Sequence, residues 1–230
     1  MPETACYTAP AMTPSEMRTV HAVRREAFHE GTPTSRQALD DGYDDLPNCR
    51  SYLLFTTAGE PIGTVRVCHY SREFGWLPIP AFDLYGEELA GFGERRTLVQ
   101  STFFAVSSSH RGAALGPKLL LIREVLRAAT DSGSDLVVTI VRSRGSQVRF
   151  YGRMGFRPMG PSRVHPLAGH EAVLLGVPTV QFLDAVRKSR FLSPVGDFAA
   201  RRSAPQPETE EGVRLHDDPG EIPPVGPPAP

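Results

Sequence analysis

Two stretches of this sequence carry residue types suited to chemistry. The first starts at Val106 and runs Ser107-Ser108-Ser109-His110-Arg111-Gly112-Ala113-Ala114-Leu115-Gly116. A β-rich segment feeds into it and an amphipathic pattern leaves it. A strand that turns through small residues into a helix leaves backbone N–H groups unpaired and convergent, at the positive end of the helix dipole. Such a turn takes an anion. Small side chains let a phosphate approach the backbone closely, and Arg111 adds positive charge. A plain strand-to-helix turn has the same residues. The second stretch is Phe150-Tyr151-Gly152-Arg153-Met154-Gly155-Phe156. It puts a tyrosine on a short helix, ended by a glycine and an apolar residue that re-enters a strand. A phenol of ordinary pKa, about 10, can protonate a leaving group of similar basicity. Packed as an aromatic wall, it would do no chemistry.

The elements around these stretches alternate. Thr13 caps a helix, Pro14 fits its first position, and Glu16 reaches back to the cap. Met17, Val20, Val23, Ala27 and Phe28 then recur at helical spacing, which predicts a helix over 14–29. Ser51–Thr57 and Pro61–His69 are β-rich runs joined by a short turn. A mixed stretch over 70–96 holds a short helix near 82–90. Leu98–Val106 is a strand, Gly112–Ser132 a helix with Leu115, Leu119, Ile122, Leu126 and Ala129 on one face, and Asp135–Val141 a buried strand. A short helix follows over Gln147–Met154. Two short strands near 155–160 and 171–176 and a helix over 178–189 complete the pattern. The chain reads as one mixed α/β domain over residues 1–200. Eight of its 22 prolines fall between Pro205 and Pro230, in an acidic stretch nearly free of large apolar residues. Residues 201–230 are therefore expected to form a disordered tail.

Composition removes several classes of function. With 25 Lys and Arg against 26 Asp and Glu, the 230-residue chain is nearly neutral, which argues against a nucleic-acid binder. No apolar run reaches the roughly 20 residues of a membrane helix. The opening MPETACYTAP lacks the pattern of a secretory signal. Cys6, Cys49 and Cys68 are too few and too scattered for a disulfide framework or a zinc site. A reduced, cytoplasmic protein without a metal is expected.

The order of motifs resembles a known superfamily. Arg111-Gly112-Ala113-Ala114-Leu115-Gly116 is similar to the R/Q-x-x-G-x-G/A motif of the GNAT acyltransferases, with Ala114 in place of the usual middle glycine. The Phe150–Phe156 segment resembles their F-Y-x-x-x-G-F. The resemblance implies a mixed, splayed β-sheet flanked by helices. It implies a thioester, acyl-CoA or acyl-carrier-protein, held at Val106, Arg111, Gly112, Ala113, Ala114, Leu115 and Gly116, and it implies Tyr151 as proton donor to the departing thiolate.

The N-terminal half narrows the branch. Arg24 and Phe28 form R-x-x-x-F, and Asp41-Gly42-Tyr43-Asp44 forms D-x-Y-D. Tyr52-Leu53-Leu54 and Gly63-Thr64-Val65-Arg66 follow. This order resembles the acyl-homoserine-lactone synthases and, more closely, the N-acyl amino acid synthases, which use long-chain acyl-carrier-protein thioesters. By that resemblance Arg24, Phe28, Asp41, Asp44 and Arg66 belong to the substrate site, and the acceptor is an amine such as an amino acid or peptide. For the aspartates a solvated turn, and for Arg66 a surface position on its strand, are the competing readings.

One departure bears on the chemistry. Where these synthases carry an E-x-S-R type sequence on the strand before the cradle, this chain reads Val99-Gln100-Ser101-Thr102-Phe103. Gln100 stands at a catalytic position but cannot act as a carboxylate base, and Thr102 lacks a guanidinium. That argues against homoserine-lactone synthesis. His69 and His110 are candidates to relay a proton through water. Two other functions compete with fatty N-acyl transfer. One is acetyl-CoA-dependent N-acetylation of a small molecule; the other is thioester binding without turnover.

Overall fold

The computed structural model describes residues 6–29, 39–90, 96–111, 116–165 and 169–188. The proline-rich tail, the whole of 201–230, lies outside them. Eight strands form one sheet: β1 (Cys6–Pro10), β2 (Cys49–Thr56), β3 (Pro61–Tyr70), β4 (Leu98–Val106), β5 (Leu136–Arg142), β6 (Arg157–Pro158), β7 (Arg163–Val164) and β8 (Glu171–Pro178). Their order is β1-β2-β3-β4-β5-β8-β6, with β7 also on β8. Every pair is antiparallel except β4 with β5. That parallel pair matches the expectation from the strand–helix–strand order, because parallel neighbours need a crossover.

Among the described residues six helices flank the sheet: α1 (Pro14–His29), α2 (Ala81–Ala90), α3 (Ser108–Arg111), α4 (Gly116–Asp131), α5 (Ser146–Gly152) and α6 (Thr179–Lys188). The predicted cap of α1 forms. Glu16 accepts from the N–H groups of Met12 and Thr13 at 2.8 Å, and its own N–H donates to the Thr13 hydroxyl at 3.2 Å. One sheet face carries Tyr52, Leu54, Val65, Val67, Val99 and Val137, and it packs against Leu121, Ile122, Val125 and Leu126 of α4 and Phe182 of α6. The other face takes Val20 and Val23 of α1 against Leu53, and Ala81, Tyr85 and Leu89 of α2 against Leu98 and Val138.

Several boundaries differ from the sequence expectations. The helix expected over 112–132 begins as α4 at Gly116, after the separate turn α3. Its buried stripe includes Leu121 and Val125 beside Ile122, Leu126 and Ala129, while Leu119 is half-buried. The strand near 155–160 shrinks to two residues, and β8 extends two residues beyond the expected 171–176. β1 is an addition. It has no regular alternation of burial, and its order comes from pairing with β2.

The feature that positions the site is a fork. β4 and β5 pair only from Leu98↔Leu136 to Ser101↔Thr139, although both strands continue. Beyond that point β4 stays with β3, through a register shift between Thr64 and Arg66. Phe103 lies in the shift with φ of 49°, in the left-handed region. A bulge bends its strand and raises the local twist, which draws β4 away from β5. β3 follows this bend closely. A Cβ on Gly63 would stand 2.8 Å from the Ala105 carbonyl oxygen, a backbone atom that cannot swing aside. Gly63→Ala is expected to cost about 1–3 kcal/mol, read as a lower urea midpoint. An unchanged midpoint would mean that the two strands are less tightly apposed there.

Candidate active site

At the apex of the fork lies Tyr151, near the end of α5 and almost fully buried. Its ring meets Phe104, Phe150 and Phe156 edge-on, with centroids 6.3, 5.3 and 5.2 Å away. Its hydroxyl is within hydrogen-bonding reach of the Thr139 and Ser101 hydroxyls, the last paired residues before the strands part. Burial pushes the phenol up to about 12, against the partial relief those hydroxyls give. The group therefore stays protonated throughout the neutral range.

A cavity of about 230 Å³ opens from this apex toward α1 and α2. Fully buried Arg66 and its partner Asp41 line it, and the fully buried Arg24, with its partner Asp44, is joined to them through the Arg66–Asp44 contact. Arg66 grips Asp41 with both terminal nitrogens at 2.6 Å, reaches Asp44 at 3.4 Å, and donates through Nε to the Thr102 hydroxyl at 3.0 Å. Arg24 pairs with both oxygens of Asp44 and donates to the Ser51 hydroxyl at 2.7 Å. Ser51 in turn donates to Asp44 at 2.7 Å. Phe103 lies under both guanidiniums, 4.2 Å from Arg24 and 4.7 Å from Arg66. The positive φ noted above accompanies this placement. Planar guanidiniums favour such bidentate and stacked settings.

Burial opposes the charge on Asp44, but the hydrogen bond and charge of Arg24, with Arg66 behind, hold its pKa down at about 2. Burial pulls Arg66 down, and its bonds to Asp41 more than reverse this, so it stays cationic. Arg66 is thus not a surface arginine, and Asp41 and Asp44 are not merely a solvated turn.

Gln100 is also fully buried and lines the cavity. Its Oε1 accepts from the Ala81 N–H at 2.8 Å, which fixes the orientation of the amide. Its Nε2 has no hydrogen-bond partner among the described residues. A buried donor left in this state costs about 1–3 kcal/mol unless a ligand or water accepts from it. Phe28 is half-buried, edge-on to Phe103 at 6.0 Å, and lines this cavity and its neighbour.

That neighbour, about 730 Å³, begins at Val106 and the other side of Tyr151. Lys118, Arg142, Arg144, Arg149 and Arg153 line it, and among the described residues no acidic side chain does. It adjoins the anion-cradle stretch. The Arg111 side chain and Gly112, Ala113, Ala114 and Leu115 lie outside the described residues, while Gly116 is the first residue of α4.

The two histidines singled out from sequence line neither cavity. His69 packs on Phe74, and His110 holds its Nδ1 3.0 Å from the Ser107 hydroxyl. The cavity has instead His165, His170 and Asp83 on its rim. Asp83 accepts from the Tyr43 hydroxyl at 2.9 Å. Burial lowers the pKa of His165, against the pull of Asp41 and Asp83. No motif spacing pointed to these residues. Among the described residues no cluster suited to a metal ion occurs, and no helix is long and apolar enough to cross a membrane.

Comparison with known proteins decides the family. The model of the N-acyl amino acid synthase FeeM family matches residues 20–178. The chain belongs to the FeeM family of N-acyl amino acid synthases. No match is found among the curated proteins. The solved structure of FeeM, an N-acyl amino acid synthase from uncultured soil microbes, superposes with a TM-score of 0.66 at 17% identity, over 79% of this chain and 94% of that one. The AHL synthase LasI gives 0.57 at 17% identity, over 76% and 91%. The ribosomal-protein-S18-alanine N-acetyltransferase from Escherichia coli gives 0.52 at 10% identity, over 76% and 94%. These structures share the fold. Membership of the FeeM family makes the chain an N-acyltransferase with the GNAT-like sheet. Within that family frame, the fork, Tyr151 and the Arg66–Asp41 pair mark the candidate active site.

Proposed function

We propose that this FeeM-family enzyme moves a fatty-acyl group from a carrier-protein or CoA thioester to the amine of an amino acid or peptide. The observation that carries this reading is the fork itself. Tyr151 sits at its apex between a basic cavity and a cavity lined by the Arg66–Asp41 pair. A phosphate-bearing donor suits the basic side, which Lys118 and several arginines line. The reacting thioester would then lie over the apex, and the amine would enter from the other cavity.

The step is an acyl substitution. The amine nitrogen forms a bond to the thioester carbonyl carbon, the carbon–sulfur bond breaks, and the amine loses a proton as the departing sulfur gains one. Tyr151 is the donor to sulfur. The buried Gln100 Nε2 is placed to donate to an oxygen of the acceptor or of the acyl carbonyl. Asp41 and Arg66 form the wall that orients the acceptor, and Arg24 and Asp44 support it. They are paired with one another, so they act as scaffold and field rather than as proton carriers. Placing amine and thioester together supplies much of the rate, because a bimolecular encounter becomes a unimolecular one.

The test incubates the protein with C2 to C16 acyl-CoAs and acyl-carrier proteins and a pool of amines, with products read by mass spectrometry. Long-chain N-acyl products are expected. Transfer of acetyl alone would replace this reading with small-molecule N-acetylation. Thioester binding with no product would replace it with a binding module. The cradle has its own check. Gly112→Glu sets a carboxylate against the donor's phosphates and should weaken thioester binding about tenfold or more by calorimetry. Unchanged affinity in a folded variant would remove the cradle assignment.

A further inference from the structure

Cys49 and Cys68, far apart in sequence, are direct partners across β2 and β3. The hydrogen bonding identifies the kind of pair. One step away, the His69 N–H donates to the Asn48 carbonyl at 2.7 Å. The Cys49 N–H turns instead to the Leu46 carbonyl, at 3.0 Å. Antiparallel pairs alternate, so Asn48/His69 is a hydrogen-bonded pair and Cys49/Cys68 a non-hydrogen-bonded one. In such a pair the Cα atoms stand about 4.5 Å apart, with side chains together on one face. That lies within the roughly 4.4–6.8 Å that a disulfide spans. The two thiols are also within hydrogen-bonding reach of each other.

The partners differ in exposure. Cys68 is fully buried in the α2 face of the sheet, whereas Cys49 is half-buried at the edge of the same cluster. Cys6, the third cysteine, lies opposite Thr56 at the other end of β2 and cannot reach either. The pair also adjoins the site. On its other side Cys68 is the register partner of Gln100. Ser51, Arg66 and Thr102 form the next row on the same face.

We propose that Cys49 and Cys68 are an oxidisable pair that a hydroperoxide converts to a cross-strand disulfide beside the floor of the acceptor cavity. The Cys49 sulfur attacks the peroxide, whose O–O bond is reduced to an alcohol or water as Cys49 becomes a sulfenic acid. The Cys68 thiol then displaces hydroxide from that sulfur, forming the S–S bond and releasing water with the thiol proton. A small dithiol returns both cysteines to thiols and carries away the oxidation. Cys68 is fully buried, and burial disfavours its thiolate by more than the nearby charge of Arg66 favours it, whereas Cys49 is within reach of solvent, so Cys49 is the entry point and Cys68 the resolving partner.

The test treats the full chain with hydrogen peroxide, blocks remaining thiols with N-ethylmaleimide in denaturant, and maps the digest by mass spectrometry. A dominant Cys49–Cys68 linked peptide, lost on treatment with dithiothreitol, is expected, with Cys6 blocked as a thiol. In Cys68→Ser the linked peptide should vanish and dimedone should capture the Cys49 sulfenic acid. Cys49 and Cys68 both fully blocked after peroxide would overturn the proposal, as would a Cys6-linked dimer as the main product. Neither readout depends on the acyl-transfer assay. Failure here leaves the proposed function standing, and an inactive enzyme leaves this result interpretable.

Discussion

Replacing Arg66 with methionine is expected to lower the stability of the fold by about 3 kcal/mol, the low end of the cost of removing one partner of a buried ion pair. Arg66 is fully buried, and it supplies both hydrogen bonds that Asp41 receives across their salt bridge. Methionine fills much of the volume but leaves Asp41 without a counter-charge. Asp41 keeps 17% of its side-chain surface in contact with solvent, so water recovers part of the loss. Thr102 also loses its donor, and Asp44 loses its second cation. Urea unfolding checks the figure. The double variant Arg66→Met with Asp41→Asn should recover part of it, because the orphaned charge is gone. An unchanged midpoint for the single variant would show that the pair is open to water.

The same cluster sets an acid limit. Asp44 has its folded pKa depressed to about 2 from 3.8. A depressed carboxylate contributes stability that is fully present above its unfolded pKa and lost as pH falls through the folded one. The contribution from Asp44 should therefore hold above about pH 4 and disappear between about pH 4 and 2. Asp44→Asn should flatten that part of a stability–pH curve while lowering its plateau.

What the sequence disclosed follows from where the information lies. α1 was readable because its cap and its apolar spacing are both local. The parallel pairing of β4 and β5 was readable because the crossover leaves few solutions. The short helix that carries Tyr151 was readable because its motif is short and contiguous, whereas residues 112–115 of the expected cradle lie outside the described residues. The buried state of Arg66 was not, because an arginine on a strand looks the same whether Asp41 is 25 residues away in space or folded onto it. The same applies to Cys49 and Cys68, which the sequence showed as scattered and the sheet register makes neighbours. His165, His170 and Asp83 reach the cavity from a loop and from α2, elements whose place beside β4 depends on the whole sheet. His69 and His110 attracted notice by lying next to motifs. Nearness in sequence to a strand end says nothing of the direction a side chain takes, and both point elsewhere. β1 was missed because a short edge strand owes its order to its partner rather than to its own pattern.

Tyr151→Phe is expected to reduce the acyl-transfer rate about 10²-fold, the usual scale for loss of a proton donor in the transition state. The substitution keeps the ring that Phe104, Phe150 and Phe156 hold edge-on, so the apex of the fork keeps its shape. It removes one hydroxyl and its link to Thr139 and Ser101, a stability cost of about 1 kcal/mol. Thioester affinity should change little, because the proton is needed only as the carbon–sulfur bond breaks. The pH dependence separates this role from an ordinary titrating acid. A phenol at about 12 is fully protonated below pH 10, so its removal should lower the profile by a constant factor without erasing an alkaline limb. A donor this weak does not hand over its proton ahead of bond breaking. In the proposed role it would donate a hydrogen bond that strengthens as charge gathers on sulfur, with transfer following that charge. Single-turnover kinetics make chemistry the observed step. Equal single-turnover rates for the variant and the parent would assign the proton to water or to the acceptor, and would leave Tyr151 as the aromatic wall between the two cavities.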